Sequence, residues 1–451
     1  MTFSLSGRTA FFDGRYTPYF LFFCGLLIHL IYLYLIAYLI PLGQLSSMAG
    51  DTGSYLRPAE AFLREGTFAL HGAPDYRRTI GYPLFLALIL NVAPSVGLDW
   101  WSITYFAQAL IFALVYPAIY YIGTVLFGLG ERVAVSASAF TIFSGAFVSY
   151  VPMALSDGIF ATSLIIGVAL GLKALKDQSF AYAAMHIFVI IYAANVRPML
   201  AFFPIAIVLM HWSWLRGQGI TIHKKIKNLV LLMFVTTLIG VQTPALRNWV
   251  HHDVFTPSEI GSVNLYNYLA KEVLGYKGEH EKYKIIYERL KKMEGGLHLK
   301  ERIELRKREA IRVFTTYPLE TIGVMLHFTV INSIETHWQN FFFSFKKTWY
   351  QSYDDGSVVW SPLPFLVAVV FIIIYGNMYV VFSFSLIFLR SNYMALASLL
   401  IFVIPYIFCG TSYQGARFRL WLEPFILLQV FWAAQHCYSM MISNAVVNKK
   451  S

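Results

Sequence analysis

The sequence predicts an all-α polytopic membrane protein with about ten spans. Three observations predict it. The 451 residues are 57% hydrophobic and only 13% charged, where a soluble protein carries roughly 25% charged residues. Mean hydropathy is +0.58. Apolar runs near or above the ~18 residues that cross a bilayer as a helix recur along the whole chain. Aromatic residues make up 17%, as expected where Trp and Tyr anchor membrane interfaces.

The ten expected spans are 18–42, 100–127, 132–150, 157–175, 179–196, 198–214, 228–246, 362–390, 393–411 and 421–443. Arg8 and Arg15 precede the first, and no small-residue cleavage pattern follows it, so it reads as an uncleaved span. Two further apolar stretches are shorter or interrupted: 80–95, broken by Pro83 and Pro94, and 318–334, which carries Glu320 and His327.

Charge sets the expected orientation. Arg216, His223, Lys224, Lys225 and Lys227 share one short loop, which the positive-inside rule assigns to the cytoplasm together with the Arg8/Arg15 leader, Arg390 and the Lys449-Lys450 tail. Even numbers of crossings must separate these markers, so 80–95 and 318–334 are expected to be interfacial or re-entrant. The segments 43–99 and 247–361 then lie outside and 215–227 inside. Three modules follow: a catalytic transmembrane module 1–246 with its first outer loop 43–99, an outer helical region 247–361, and C-terminal spans 362–451. The outer region reads as two amphipathic helices, near 279–294 and 297–315, with Ile286, Leu290 and Met293 on one face and Glu288/Lys292 and Glu304/Arg308 as i,i+4 pairs.

The formal charge of +11 fits topology signals and contact with anionic lipid. No basic segment with interleaved aromatics stands apart from the spans, so nucleic acid is not an expected partner. Cys24, Cys409 and Cys437 all lie in apolar runs, which speaks against a disulfide framework or a zinc site. There is no phosphate-binding Gly-rich loop followed by Lys, no HExxH, no GxSxG and no CxxC. His251-His252 reads as a solvated loop feature.

The candidate chemistry lies on the outer side. Asp51 opens the long polar segment DTGSYLRPAEAFLREGTFALHGAPDYRRTIGYP, and Asp157 opens a later span on the same face. An ionised carboxylate at a membrane boundary can take a proton from an acceptor hydroxyl. Either acid could equally cap the helix that follows it. A pair can also divide base and orienting roles or hold a divalent cation, although no motif supports a metal. Arg77, Arg78, Arg197, Arg247, Arg417 and Arg419 offer paired donors suited to phosphate. Snorkelling at span ends explains Arg197 and Arg247 as well, and Arg417 and Arg419, two apart and followed by Glu423, could form a local ion pair. Tyr55, Tyr82 and Tyr413 could stack on a sugar or anchor at the interface.

Four stretches then carry a family resemblance: DTGSYLRPAEAFLREGTFAL, YRRTIGYPLFLAL, TPALRNWVHHDVFTPSEIGSVNLY and GARFRLWLEPFILL. In this order they resemble the GT-C superfamily of integral-membrane glycosyltransferases, in the bacterial branch related to protein O-mannosyltransferases and the lipid A aminoarabinose transferase. Ile80 stands where that family usually has Pro, Ala245 where an aromatic is common, and Thr52 where a second acid can follow the first.

The resemblance implies sugar transfer from a polyprenyl-phosphate donor, with inversion, to a glycan, lipid or protein acceptor at the outer face of a bacterial inner (plasma) membrane. It makes Asp51 the general base and Asp157 its structural or positioning partner. The arginines and Asn248, with Tyr55 and Tyr82, would bind the substrates, and no cofactor is implied. Two other classes compete. One is an outer-face polysaccharide polymerase or ligase using a pyrophosphate-linked glycan. The other is a lipid-linked glycan transporter, which should carry ionisable residues deep within its spans.

Overall fold

The computed structural model describes residues 14–39, 51–70, 73–74, 77–199, 203–217, 224–294, 297–334, 350–352, 358–360, 362–388, 417 and 419–448. The protein is all-helical apart from two short antiparallel ribbons, Ala69–Leu70 with Ala73–Pro74 and Tyr350–Ser352 with Val358–Trp360. Six helices among the described residues are long and apolar enough to cross a membrane: Thr17–Tyr38, Trp100–Val125, Glu131–Tyr150, Ser156–Lys176, Lys224–His252 and Glu423–Ser443. The protein is thus an integral membrane protein by the length and composition of its helices. Helices also occupy three more of the expected span positions, at Phe180–Val196, Phe203–Gly217 and Pro362–Phe388. The expected span at 393–411 and the marker Arg390 lie outside the described residues.

The first helix, α1 (Thr17–Leu39), shows how lipid replaces part of a core. Phe20, Phe23, Leu27, Ile31, Tyr34 and Tyr38 form an exposed stripe at three- and four-residue spacing. Leu21, His29, Tyr32 and Ile36 turn inward. An exposed apolar stripe of this length is costly in water and at home against acyl chains. His29 is satisfied inside: Nδ1 donates to the Ala109 carbonyl at 3.0 Å, and Nε2 then accepts from the Tyr116 hydroxyl at 2.8 Å.

After α2 (Thr52–Glu65) and α3 (Gly81–Val96), the expected 100–127 span is two helices, α4 (Trp100–Ala113) and α5 (Val115–Val125). Pro117 has no N–H for the carbonyl of Ala113, so the ladder is interrupted and the chain tightens at Leu114. The next span begins as α6 (Glu131–Phe143), and its later part closes in a 3-10 turn at Val148–Tyr150. Then α7 (Ser156–Lys176), nearly all buried, runs through the centre of the bundle and pairs with α8 (Phe180–Val196) as a hairpin.

This hairpin separates two ends of the bundle. Asp157 and Arg197 sit at one end. Lys173, Lys176 and Asp177 sit at the other, where Lys173 lies over Tyr182 at 4.8 Å and near Tyr121 at the close of α5. Trp214, near Arg216 in α9 (Phe203–Gly217), donates to the Val125 carbonyl at this same end, at 2.9 Å. Lys173, Lys176 and Arg216 therefore lie at the end of the hairpin away from Asp157.

The region 253–334 forms a second core of its own, built from Tyr266, Leu269, Val273, Leu274, Tyr283, Leu290, Leu305, Val313 and Val324. It follows α10 (Lys224–Gly240) and α11 (Thr243–His252) and contains α12 (Ile260–Val263), a π-helical segment Asn264–Ala270, α13 (Lys271–Tyr276), α14 (His280–Glu294), α15 (Leu299–Thr316) and α16 (Pro318–Ile334). The two amphipathic helices stand where periodicity put them. Leu290 and Ile286 face the second core, but Met293 is exposed. Glu288/Lys292 and Glu304/Arg308 do not close as pairs among the described residues. Arg306 in α15 instead binds Glu294 through Nε (2.6 Å) and Nη2 (2.7 Å), and Glu259 through Nη1 (2.7 Å). A solvated i,i+4 pair is worth only a few tenths of a kcal/mol, too little to hold two long exposed side chains together. His251 and His252 form the last turn of α11 rather than a loop.

Candidate active site

Several chain segments converge where α7 begins and α8 ends. Asp51 precedes α2. Its side chain makes no capping hydrogen bond, and the turn is closed by its carbonyl, which accepts from Ser54 N at 3.0 Å and Ser54 Oγ at 2.6 Å. The carboxylate is thereby left to other partners. Arg78 Nη2 donates to Oδ1 at 2.8 Å and Arg417 Nη2 to Oδ2 at 3.2 Å.

Asp157 lies in the first turn of α7, where the helix dipole favours a negative charge. It does not cap; Leu155 holds that position. Arg417 Nε donates to its Oδ1 at 2.8 Å, and Arg197 Nη2 lies 2.9 Å from the same oxygen. Its Oδ2 is buried with no hydrogen-bond partner among the described residues. The Asp51 side chain is 37% exposed and that of Asp157 1%. One acid is therefore part-exposed and the other enclosed.

Local chemistry fixes the arginines. Thr79 Oγ1 donates to the Val196 carbonyl at 3.0 Å, and Tyr192 OH to the Gly81 carbonyl at 3.3 Å. A Cβ on Gly81 would sit 2.6 Å from the backbone of Asn195 and Val196. Only glycine permits that approach, and it brings Arg78 beside Arg197. Arg197 ends α8 in an extended conformation, as the residue before Pro198 must.

Tyr55 ties the two halves together. Its hydroxyl pairs with Ser156 Oγ at 2.8 Å and accepts from Arg78 Nη1 at 3.1 Å, while the Arg78 guanidinium lies 4.5 Å over its ring. Arg197 Nε also donates to Ser156 Oγ, at 3.3 Å. Tyr82 packs edge-on against Tyr55 at 5.1 Å and is fully buried. Its hydroxyl is given to Gln108 at 3.0 Å, so it is a wall behind Tyr55 and offers no open face to a sugar.

Arg247 frames the site from α11. Its Nη2 donates to the Arg78 carbonyl at 3.2 Å, and Nε and Nη2 to Asn248 Oδ1 at 3.2 and 2.9 Å. Asn248 is fully buried and donates to the Thr256 carbonyl at 2.8 Å, so it serves the backbone of this frame. Arg77 is exposed, and its carbonyl is held by Ser258.

Arg419 is elsewhere. It is 0% exposed, paired with Glu423 at 3.0 Å, stacked 4.0 Å over Tyr375 and donating to the carbonyls of Asn332 and Ser333. The expectation that it faces the substrate is corrected: a guanidinium this enclosed joins helices. Tyr413 lies outside the described residues.

Burial alone would raise the Asp51 carboxyl, but the Arg78 and Arg417 guanidiniums outweigh it and hold it below the usual carboxylate range. Burial would likewise lower Arg417, yet Asp157 and Asp51 together raise it further, so it stays charged. The cluster thus contains three guanidiniums and two carboxylates. It can position an ionised base, orient it, and accept one more anion. Ser54, Ser156, Gln108 and Ser258 were not expected from the sequence, since small polar residues carry no spacing signal. Among the described residues, no group of three or more His, Cys, Asp or Glu side chains is placed to hold a metal ion. No protein-family model matches the chain, and no curated protein matches it.

Proposed function

We propose that the protein is a GT-C-like membrane glycosyltransferase that moves a sugar from a polyprenyl-phosphate donor to a hydroxyl acceptor. The observation that carries this reading is the placement of Asp51. Its carboxylate is free of helix capping, part-exposed, and oriented by Arg78 and Arg417. A carboxylate held this way is an ionised base at neutral pH, and the same arginines supply donors for a phosphate.

In the reaction, the acceptor oxygen attacks the anomeric carbon from the side opposite the phosphate. The bond from that carbon to the phosphate oxygen breaks, and its electron pair leaves with the phosphate. The hydroxyl proton passes to Asp51. A phosphodiester monoanion becomes a phosphate monoester dianion, so the leaving group gains one negative charge, and guanidiniums already in place stabilise it without a general acid. Asp157, backing the site through Arg417 and Arg197, is a positioning residue.

Sidedness fits this reading. The positive-inside rule assigns the basic residues Arg15, Lys173, Lys176, Arg216, Lys224, Lys225 and Lys227 to the cytoplasm, and the α7–α8 hairpin, with Lys173 and Lys176 at one end and Asp157 and Arg197 at the other, supports a site on the opposite face. Ten crossings, with both chain ends inside, satisfy these constraints.

The test is transfer from radiolabelled polyprenyl-phosphate sugars and, separately, polyprenyl-pyrophosphate sugars by the purified chain and by Asp51→Asn. The expected result is transfer from the monophosphate donor only, reduced roughly 10²–10⁴-fold in Asp51→Asn. Transfer from the pyrophosphate donor alone would instead establish the polymerase or ligase class. Binding without transfer of either would point to a transporter.

A further inference from the structure

Among the described residues, Arg417 is the one side chain that touches both carboxylates of the site, and it touches them unequally. Its Nε is 2.8 Å from the enclosed Asp157, and its Nη2 3.2 Å from the part-exposed Asp51. The Arg417 side chain keeps 20% exposure, and its Nη1 makes no hydrogen bond among the described residues. Each carboxylate also has an arginine of its own, Arg78 on Asp51 and Arg197 on Asp157. When Arg417 gives up Asp51, Asp51 therefore keeps Arg78, and Asp157 keeps Arg197 and the Arg417 Nε contact. Uncompensated buried charge is the usual penalty for opening such a cluster. Here the penalty is avoided.

We propose that Arg417 is a substrate-operated latch on the base: an entering lipid phosphate takes the Nη1/Nη2 edge of its guanidinium, the Nη2 contact to Asp51 is given up, and the Nε contact to Asp157 stays as the pivot. This deepens the reaction proposed above and rests on it. Held by two guanidiniums, Asp51 is a weak base. With the phosphate in place it keeps only Arg78, which continues to aim it. The base gains strength when the donor is present, and the acceptor hydroxyl is activated after donor binding. The phosphate in turn gains a planar two-donor contact already oriented by Asp157.

The groups facing Asp51 that bear on its titration are Arg78 from the segment before α3, Arg417 from the segment before α18 (Glu423–Asn448), Asp157 behind Arg417, and Tyr55 on α2 beneath Arg78. Farnesyl phosphate serves as the probe. Infrared titration of the full chain in lipid nanodiscs follows the protonated-carboxyl band that Asp51→Asn removes.

Saturating farnesyl phosphate is expected to raise the midpoint of that band by about one pH unit, a tenfold change in proton affinity. In Arg417→Gln the midpoint should already be raised, and the probe should then move it by less than about 0.3 unit, or twofold. In Arg78→Gln, where Arg417 is intact, the probe should still raise it. Should Arg417→Gln fail to fold, the wild-type and Arg78→Gln titrations carry the test. Saturable binding with an unmoved or lowered wild-type midpoint overturns the latch and leaves the reaction standing. So does an equal rise in Arg417→Gln, because simple repulsion by the phosphate then suffices. No saturable binding of farnesyl phosphate overturns the latch and the proposed reaction together.

Discussion

Ser258 donates its side-chain hydroxyl to the main-chain carbonyl of Arg77 at 2.5 Å, joining the outer helical region to the first loop across 181 residues. Next to it, Glu259 is buried and accepts from Arg306, which also grips Glu294. The peptide that carries Arg78 is thus braced from outside the membrane bundle, with the Arg247 contact to the Arg78 carbonyl beside it.

The brace predicts a coupling between outer-region stability and the site. Arg306→Met leaves the enclosed Glu259 and the part-buried Glu294 without their cation and should cost about 3–5 kcal/mol. Removing both charges as well, in Glu259→Gln/Arg306→Met/Glu294→Gln, should recover most of that loss. Thermal unfolding in detergent, with turnover measured alongside, checks both. An Arg306→Met protein as stable as wild type would show that the network holds nothing.

The depressed Asp51 pKa predicts an acid limb with a defined sign. A group whose folded pKa lies below its unfolded value contributes stability above the unfolded value, about 3.9 for Asp, and loses it as pH falls through the folded value. As a base, Asp51 follows the same titration, so the acid limb of kcat/KM should lie below the ordinary Asp range. Arg78→Gln removes one of the two cations responsible, and the limb should move to higher pH. A pH–rate profile in which wild type and Arg78→Gln share one acid limb would detach Arg78 from the base.

How much of this could be read in advance depends on the kind of signal. The first membrane helix and the α7–α8 hairpin announce themselves as apolar runs bounded by charge. Asp51 and Asp157 announce themselves as acids at the ends of such runs. Their mutual contact through Arg417 does not, because it closes across 366 residues between Arg417 and Asp51 and no local pattern encodes it. The break at Leu114 is visible only as Pro117 in an otherwise continuous run. Arg417 and Arg419, two residues apart in one basic motif, look alike in sequence. Which of them is entombed against Tyr375 and which is open to the site is decided by packing alone.

Sidedness predicts labelling. In a background with Cys24, Cys409 and Cys437 changed to Ser, Leu70→Cys and Lys300→Cys should react with a membrane-impermeant maleimide on intact cells. Ile220→Cys, in the basic loop, should react only after permeabilisation. Labelling of Ile220→Cys on intact cells, or protection of the other two, would invert the orientation and remove the outer-face reaction.

The last prediction separates the two arginines. Arg419 is fully enclosed and binds Glu423, whose other oxygen accepts from Tyr375 at 3.1 Å. Together with the Asn332 and Ser333 carbonyls, this ties the end of α16 to the helices Pro362–Phe388 (α17) and α18. Arg419→Met therefore leaves a buried carboxylate uncompensated and should cost about 3–5 kcal/mol in stability. The folded fraction should bind farnesyl phosphate within about twofold of wild type, less than half a kcal/mol. Arg417→Met should do the reverse. Arg78 and Arg197 still pair with its two acids, so the unfolding temperature should change little. Losing a charge-assisted contact of about 1.5–3 kcal/mol should weaken farnesyl phosphate binding roughly 10–100-fold. Thermal unfolding and equilibrium binding on the same two preparations decide it. Equal affinity losses in both variants would return Arg419 to the site; unchanged affinity in Arg417→Met would leave Arg197, Arg247 or the exposed Arg77 to meet the phosphate.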